Sequence, residues 1–426
     1  MQTLRNEGIM TAKVENHAAS CNALNRRSFL RLGILAGSAA PFLARSQAER
    51  PAPAPAAAAR RKIRLGIIGC GGRGAWIARL FARHGGYEIH AVADYFQPVA
   101  DACGDALGVE KARRFSTLSG YKRVLESGVE AVALETPPCF FPEHAAAAVE
   151  AGLHVYMAKP IAVDVPGCRT IEVAASKAKA SKRVFLVDYQ MPTDPENKRV
   201  VELIGKGAIG KVVALNSHYF ASSFADPAKT DSIESRLQHL IWVNDVAIGG
   251  SYHVNACIHA VEAALWLAGQ RPVAACGASA RCRPNPHGDS HDVFQLVFTF
   301  ANGLLLSHRG KHLDNLTGFD VLCTAQGETG YGTVGYGGRA FLKGREEAHS
   351  AEVVNLYEAG AVRNIAAFYD AILAGDCSNP TVTRAVDSAL ATILGREAGL
   401  TRSWMTMEDL LKRNARCELD LTGLRS

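Results

Sequence analysis

Three glycines and one acid carry the first legible chemistry. Gly69, Gly71 and Gly74 fill the three slots of G-x-G-x-x-G within Gly69-Cys70-Gly71-Gly72-Arg73-Gly74. The first permits a tight turn and the second lets backbone approach a pyrophosphate. The third lets a helix pack close to the preceding strand, so that unpaired N–H groups at its N-terminus face phosphate oxygens. Asp94 ends the next apolar run (Ile89, Ala91, Val92), twenty residues after Gly74. There its carboxylate can accept a ribose 2′-OH and would repel a 2′-phosphate. NAD is therefore the expected cofactor, and the Arg73 cation is what keeps NADP open. Further along, Asn255, His259 and Glu262 stand at i, i+4 and i+7, one face of a helix. His259 can titrate near neutrality, whereas Asn255 can only orient or hydrogen-bond. Tyr219, near the end of an expected strand over Val212–Phe220, is a candidate substrate contact, as are Tyr252 and His253 beside the helix. His291, His308 and His312 form no ligand spacing and no C-x-x-C occurs, so no metal is assigned.

These residues need positioning elements. Ile63–Ile68 is a short apolar strand running into the glycine turn, and a helix follows with Trp76, Ile77, Leu80 and Phe81 at helical spacing and Gly85-Gly86 as its stop. The alternation continues. Strands are expected over Val129–Leu134, His154–Met157 and Val184–Val187, and helices over His144–Ala151 and Cys168–Ala180. Repeated strand–helix units imply a doubly wound parallel sheet with its ligand at the strand C-terminal ends, where Thr136, Pro137, Lys159 and Gln190 all fall.

At 426 residues the chain is long enough for two domains, each with a core. The formal charge of +6 is misleading, because six Lys/Arg and two Asp/Glu lie within residues 1–48. The rest is too evenly charged for a nucleic-acid or anionic-membrane surface. Asn25-Arg26-Arg27-Ser28-Phe29-Leu30-Arg31 is a twin-arginine pattern before a modest apolar run, Leu32 to Leu43, and Ser46-Gln47-Ala48 offers a cleavage site. That run is too short and too rich in small residues to span a bilayer. Residues 1–48 are thus expected to be an export signal read by the twin-arginine machinery, giving a periplasmic protein, and 49–61 a Pro/Ala linker. The eleven cysteines are scattered. Several (Cys70, Cys168, Cys257) fall in expected core elements, where a thiol packs as a small hydrophobe. A route that exports folded protein is compatible with buried reduced thiols.

Taken together, the glycine turn, Asp94, Thr136-Pro137, Ala151-Gly152-Leu153-His154-Val155 and Lys159-Pro160 resemble the glucose–fructose oxidoreductase, inositol dehydrogenase and MocA (Gfo/Idh/MocA) family. So do Gly249-Gly250, Asn255-x-x-x-His259, Trp266-Leu267-Ala268-Gly269, Ala371-Ile372, Asn379-Pro380 and Arg396-Glu397-Ala398. The resemblance implies a Rossmann domain, residues 62–188, followed by an α/β domain, 189–426, with a large, open, mostly antiparallel sheet. That sheet would carry the substrate and a homo-oligomer contact, dimeric or tetrameric. It also implies that Lys159 touches both nicotinamide and substrate, that His259 serves as general acid/base, and that Asn255 holds the sugar. The cofactor set implied is Gly69, Cys70, Gly71, Gly72, Arg73, Gly74, Asp94, Thr136, Pro137, Lys159 and Gln190. Departures from the family pattern favour a specialised branch. Ala158 stands where glutamate precedes the lysine, Phe141 where histidine is common, Asp188 and Pro192 where glycine and arginine flank Gln190, and Asn255 where aspartate is commonest.

The activity implied is NAD(P)-dependent oxidation or reduction of a hydroxyl on a sugar or sugar derivative. An exported dehydrogenase meets no free nicotinamide pool, so the cofactor is expected to be inserted before export and to stay tightly bound. The alternative is a redox-neutral glycosidase, lyase or epimerase that works through a transient keto-sugar on bound NAD. A non-catalytic sugar sensor is the third class.

Overall fold

The computed structural model describes residues 61–426. The twin-arginine segment, its cleavage site and nearly all of the Pro/Ala linker lie outside the described residues.

The first sheet is built as its apolar runs require. Strand β1 (Ile63–Ile68) is buried at every position but Arg64, and it leads through the glycine turn into α1 (Gly72–His84). There follow β2 (Tyr87–Asp94), α2 (Gln97–Leu107), β3 (Arg114–Ser116), α3 (Gly120–Glu126), β4 (Ala131–Leu134), α4 (Phe141–Glu150), β5 (His154–Ala158), α5 (Val165–Ala180) and β6 (Phe185–Asp188). All six strands are parallel, in the order β3-β2-β1-β4-β5-β6. The chain winds outward from β1 to β3 and then returns to lay β4 on the other side of β1. The switch point, and with it the ligand crevice, therefore lies beyond the C-terminal ends of β1 and β4.

After α6 (Pro195–Gly205) comes β7 (Val212–Ala221), then the short α7 (Val246–Gly249) and α8 (Ile258–Ala268). A second sheet adds β8 (Ala274–Ala280), β9 (Val293–Thr299), β10 (Leu305–His312), β11 (Asp320–Gly327), β12 (Tyr331–Gly335), β13 (Gly338–Lys343) and β14 (Ala348–Val353). Helices α9 (Leu356–Ala374) and α10 (Thr381–Thr401), strand β15 (Met405–Thr406) and helix α11 (Met407–Arg413) complete the chain. The nine strands run β14-β13-β12-β11-β7-β10-β9-β8-β15, antiparallel except where β7 meets β10. The expected pairing of a Rossmann sheet with a large, open, mostly antiparallel one is what the chain forms. Burial alternates along β9 and β10 because α8 and α10 cover one face and leave the other open.

One element crosses the expected division. Ala361, Ile365, Phe368, Tyr369 and Ile372 of α9 share a core with β1, α1 and Tyr87. The Tyr87 hydroxyl donates to Ile365 O at 2.9 Å, and the Tyr369 hydroxyl to Arg61 O at 2.8 Å. Residues from 189 onward therefore also close the first sheet.

Candidate functional site

The glycine turn has the geometry its spacing implies. Gly69 sits at φ +96, and a Cβ there would lie 2.6 Å from the Glu135 backbone. A Cβ on Gly74 would stand 1.9 Å from Gly69 O, so only glycine lets α1 start this close to β1. At Gly71, by contrast, nothing lies within 4 Å of where a Cβ would be. No side chain caps α1 and its first turn holds no acid. Its leading N–H groups are left for an outside acceptor, and a pyrophosphate fits that need. Asp94 closes the turn, accepting Cys70 N at 2.8 Å and Phe96 N at 3.0 Å.

The turn opens into a cavity of about 1050 Å³. Cys70, Gly72, Arg73, Asp94, Thr136 and Pro137 line it at the cofactor end, and Lys159, Gln190, Tyr219, Asn255 and His259 at the other. Lys159, just after β5, is half-buried and donates to Asn255 O at 2.8 Å. Burial, with Arg73 nearby, brings its ammonium down to about 7, opposed by Asp188, Glu135 and Cys257. Burial also holds the His259 imidazole well below its ordinary range, and the Lys159 and Arg73 cations add to this. Tyr219 stacks over His259, ring centroids 6.1 Å apart, and Tyr336 meets its edge at 5.1 Å. The Asn255 side-chain amide is buried and has no protein partner, so its N–H groups are available to a ligand hydroxyl.

Arg73 turns inward. It pairs with Glu135 at 3.1 Å and with Asp188, donates to the Tyr357 hydroxyl at 3.1 Å, and lies over Trp76. Committed in this way, it is no receptor for a 2′-phosphate, which removes the sequence-level reason for NADP. Asp188 also accepts from Gln190 and Asn364. It pairs in register with Ala158, so the carboxylate missing before Lys159 reappears on the neighbouring strand. Burial pushes the Glu135 carboxyl up to about 7 against the pull of Arg73.

Three sequence expectations fail here. Tyr252 is fully buried and its hydroxyl donates to Tyr219 O and Lys311 O, away from the cavity. His253 is also fully buried, stacked on Phe294 with centroids 4.9 Å apart. Glu262 does not line the cavity with Asn255 and His259 but pairs with Arg384. The cause is local: residues His253–Cys257 form a π turn, whose wider i→i+5 pitch rotates what precedes it relative to α8.

Sequence alone did not single out Glu135, nor the stretch after β7 that supplies Phe224, Gln238, His239 and Trp242 to the cavity wall. The available signal was a long aperiodic segment leaving the end of a strand that carries Tyr219. That strap is anchored by Arg236, which is buried and pairs with Asp226 at 2.6 Å and Asp245 at 2.7 Å. Arg283 holds Asp226 from outside the strap, at 2.7 Å.

Residues 63–188 match the model of the oxidoreductase family with an NAD-binding Rossmann fold, and residues 197–330 match the GFO/IDH/MocA C-terminal domain. Together these cover more than half of the chain. The chain belongs to the Gfo/Idh/MocA oxidoreductase family. Its first domain is accordingly an NAD-binding Rossmann domain. Among Gfo/Idh/MocA relatives, inositol 2-dehydrogenase 2 of Saccharopolyspora erythraea is 27% identical over 57% of this chain and 64% of its own length, just under two thirds. An aldose–aldose oxidoreductase from Caulobacter crescentus, crystallised with glycerol, superposes with a TM-score of 0.67 at 18% identity, over 81% of this chain and 100% of that one. A levoglucosan dehydrogenase in complex with NADH and levoglucosan gives 0.67 at 18%, over 82% and 100%. At such identities these structures speak to the fold.

Proposed function

We propose that this protein is an NAD-dependent oxidoreductase that oxidises a ring hydroxyl of a sugar, anhydrosugar or cyclitol, and reduces the ketone in reverse. One observation carries the reading: a single cavity joins the uncapped glycine turn to Lys159, Asn255 and His259. Inositol and levoglucosan dehydrogenases among the similar proteins supply the substrate class.

Bound NAD supplies the hydride acceptor. This chain's residues do the rest. The Asn255 amide donates to a sugar hydroxyl, and the Tyr219 and Tyr336 rings form an apolar wall around His259. A base works best when its pKa lies near the working pH. Lys159, at about 7, meets that condition better than His259, which burial keeps neutral and weakly basic. The proton-transfer role expected of His259 thus moves toward Lys159, with His259 accepting a hydrogen bond from the substrate. Asp188 and Glu135 hold the lysine environment in place of the absent carboxylate at position 158.

The twin-arginine pattern supports a periplasmic location, and that location requires a cofactor retained through turnover and reoxidised in place by a second carbonyl substrate, which takes up the hydride and a proton as an alcohol. The test is to purify the protein without added nicotinamide, denature it and assay the supernatant. About one equivalent of NAD, together with sugar-dependent reduction of the bound cofactor, is the expected result. An empty supernatant defeats retention, and failure of any polyol or sugar to reduce either bound or added NAD defeats the oxidoreductase reading. Net conversion of a glycoside without cofactor turnover would place the protein in the redox-neutral class instead.

A further inference from the structure

Directly behind the cavity wall, with Cys257 close enough to act on the Lys159 amine, lies a second polar cluster. His253 and Cys257 belong to the π turn and His308 to β10, and all three are buried. Their potential ligand atoms lie within 4.8 Å of one another, the one such His/Cys/Asp/Glu group among the described residues. Neither ring nitrogen of His253 has a protein partner, and Nε2 of His308 has none either. A buried imidazole nitrogen left unpaired is costly, so two such rings with centroids 5.2 Å apart call for an explanation.

The surroundings supply one. Nδ1 of His308 is hydrogen-bonded to buried Ser217 Oγ at 2.8 Å. When that nitrogen carries the proton, the Nε2 lone pair is directed away from Ser217, an arrangement typical of metal-ligating histidines. Gly310 lets the thiol sit here: a Cβ on it would meet Cys257 Sγ at 2.6 Å and come within 3.7 Å of His308 Nε2. Bonds of roughly 2.0–2.3 Å to nitrogen and sulfur can span ligand atoms set this close.

We propose that His253, Cys257 and His308 form a closed, three-coordinate site for a soft monovalent metal ion, copper(I) by chemical class, that clips the π turn to the second sheet. A thiolate selects soft ions. A monovalent ion with one thiolate and two neutral imidazoles leaves no net charge in the core. A divalent ion would leave one positive charge near Arg396, the cation that His253 already feels. On binding, Cys257 gives up its thiol proton to solvent and the ion gains one Sγ bond and two imidazole nitrogen bonds, with no change of oxidation state.

The experiment loads the full-length protein anaerobically with copper(I), and in parallel with zinc(II), followed by desalting and metal analysis. One tightly held equivalent of copper, a raised melting temperature, and X-ray absorption showing mixed nitrogen and sulfur ligation are expected. His253→Phe and Cys257→Ala should each abolish retention, while Cys103→Ala, beside the other close thiol Cys70, should not. No retained copper, zinc held in preference to copper, or all-sulfur ligation would each overturn the proposal. The spectroscopy needs no variant, so a misfolded substitution leaves the answer intact.

Discussion

Lys159 is the side chain on which the proposed chemistry turns, and its setting dictates how rate should follow pH. Oxidation needs the amine unprotonated, so kcat/KM for the alcohol should rise through an apparent pKa near 7 and level off above it, with the reverse slope for ketone reduction. The groups facing the amine are Arg73, Asp188, Glu135, Cys257 and His259, and Glu135 titrates in the same range, so the apparent value belongs to that coupled set. Lys159→Ala should lower kcat by about 10²–10⁴ with NAD affinity retained, measured by cofactor titration. Lys159→Arg keeps a cation but cannot accept a proton at neutral pH, and it should be equally inactive. Asn255→Ala should raise KM for the sugar more than it lowers kcat, because its amide donates to bound substrate. The lysine and the asparagine were legible in the sequence through short motifs. The carboxylates around the lysine were not, because Asp188 reaches it through strand register and Glu135 through the turn after β4, and neither relation leaves a mark in sequence spacing.

At the level of elements, the glycine turn and the strap make opposite demands. The turn was readable because three glycines at fixed spacing have few other uses, and Gly74→Ala tests it. The new Cβ must push Gly69 O away, so α1 shifts, with a cost of about 1–3 kcal/mol from overpacking and a large loss of NAD affinity, read by thermal melting and cofactor titration. The strap after β7 escaped notice because it has no apolar period, and its order comes from buried ion pairs between distant residues. Arg236→Ala would leave Asp226 to Arg283 and Asp245 to Lys229, and the lost charge-assisted hydrogen bonds should cost about 1.5–3 kcal/mol of local stability, visible as proteolytic nicking and faster hydrogen exchange over residues 222–245. Burial opposes ionisation of Asp226, but hydrogen bonds from Arg236 and Arg283 prevail and hold it well below the usual carboxylate range. A group held low stabilises the fold above its unfolded value, so the strap should loosen as pH falls below about 4. The π turn also escaped the reading, since a strict 3.6-residue count placed Glu262 with the wrong neighbours.

For the whole molecule, the order of strands and helices was legible and the closure of the two sheets was not. Alternating apolar runs and glycine stops announce a parallel sheet, but nothing local says that α9, more than 160 residues beyond β6, returns to β1. The open face of the second sheet carries Val297 and Leu305 exposed on neighbouring strands, which is in keeping with the expected homo-oligomer. Light scattering should give a dimer or tetramer, with Val297→Lys shifting it toward monomer. For the proposed export, replacing Arg26 and Arg27 by lysine should hold the protein in the cytoplasm, scored by cell fractionation.

The return of α9 also bears on how dinucleotide could leave. A protein whose halves swing apart about a flexible joint can release its nucleotide through the gap. Here tyrosine hydroxyls and a shared apolar seam tie the late helix to the first strand, so a path past the strap should open only when the Arg236 pairs that anchor it give way. Exchange of bound NAD should therefore quicken when the strap is loosened and stay slow otherwise, which the proposed export with a single charge of cofactor would require.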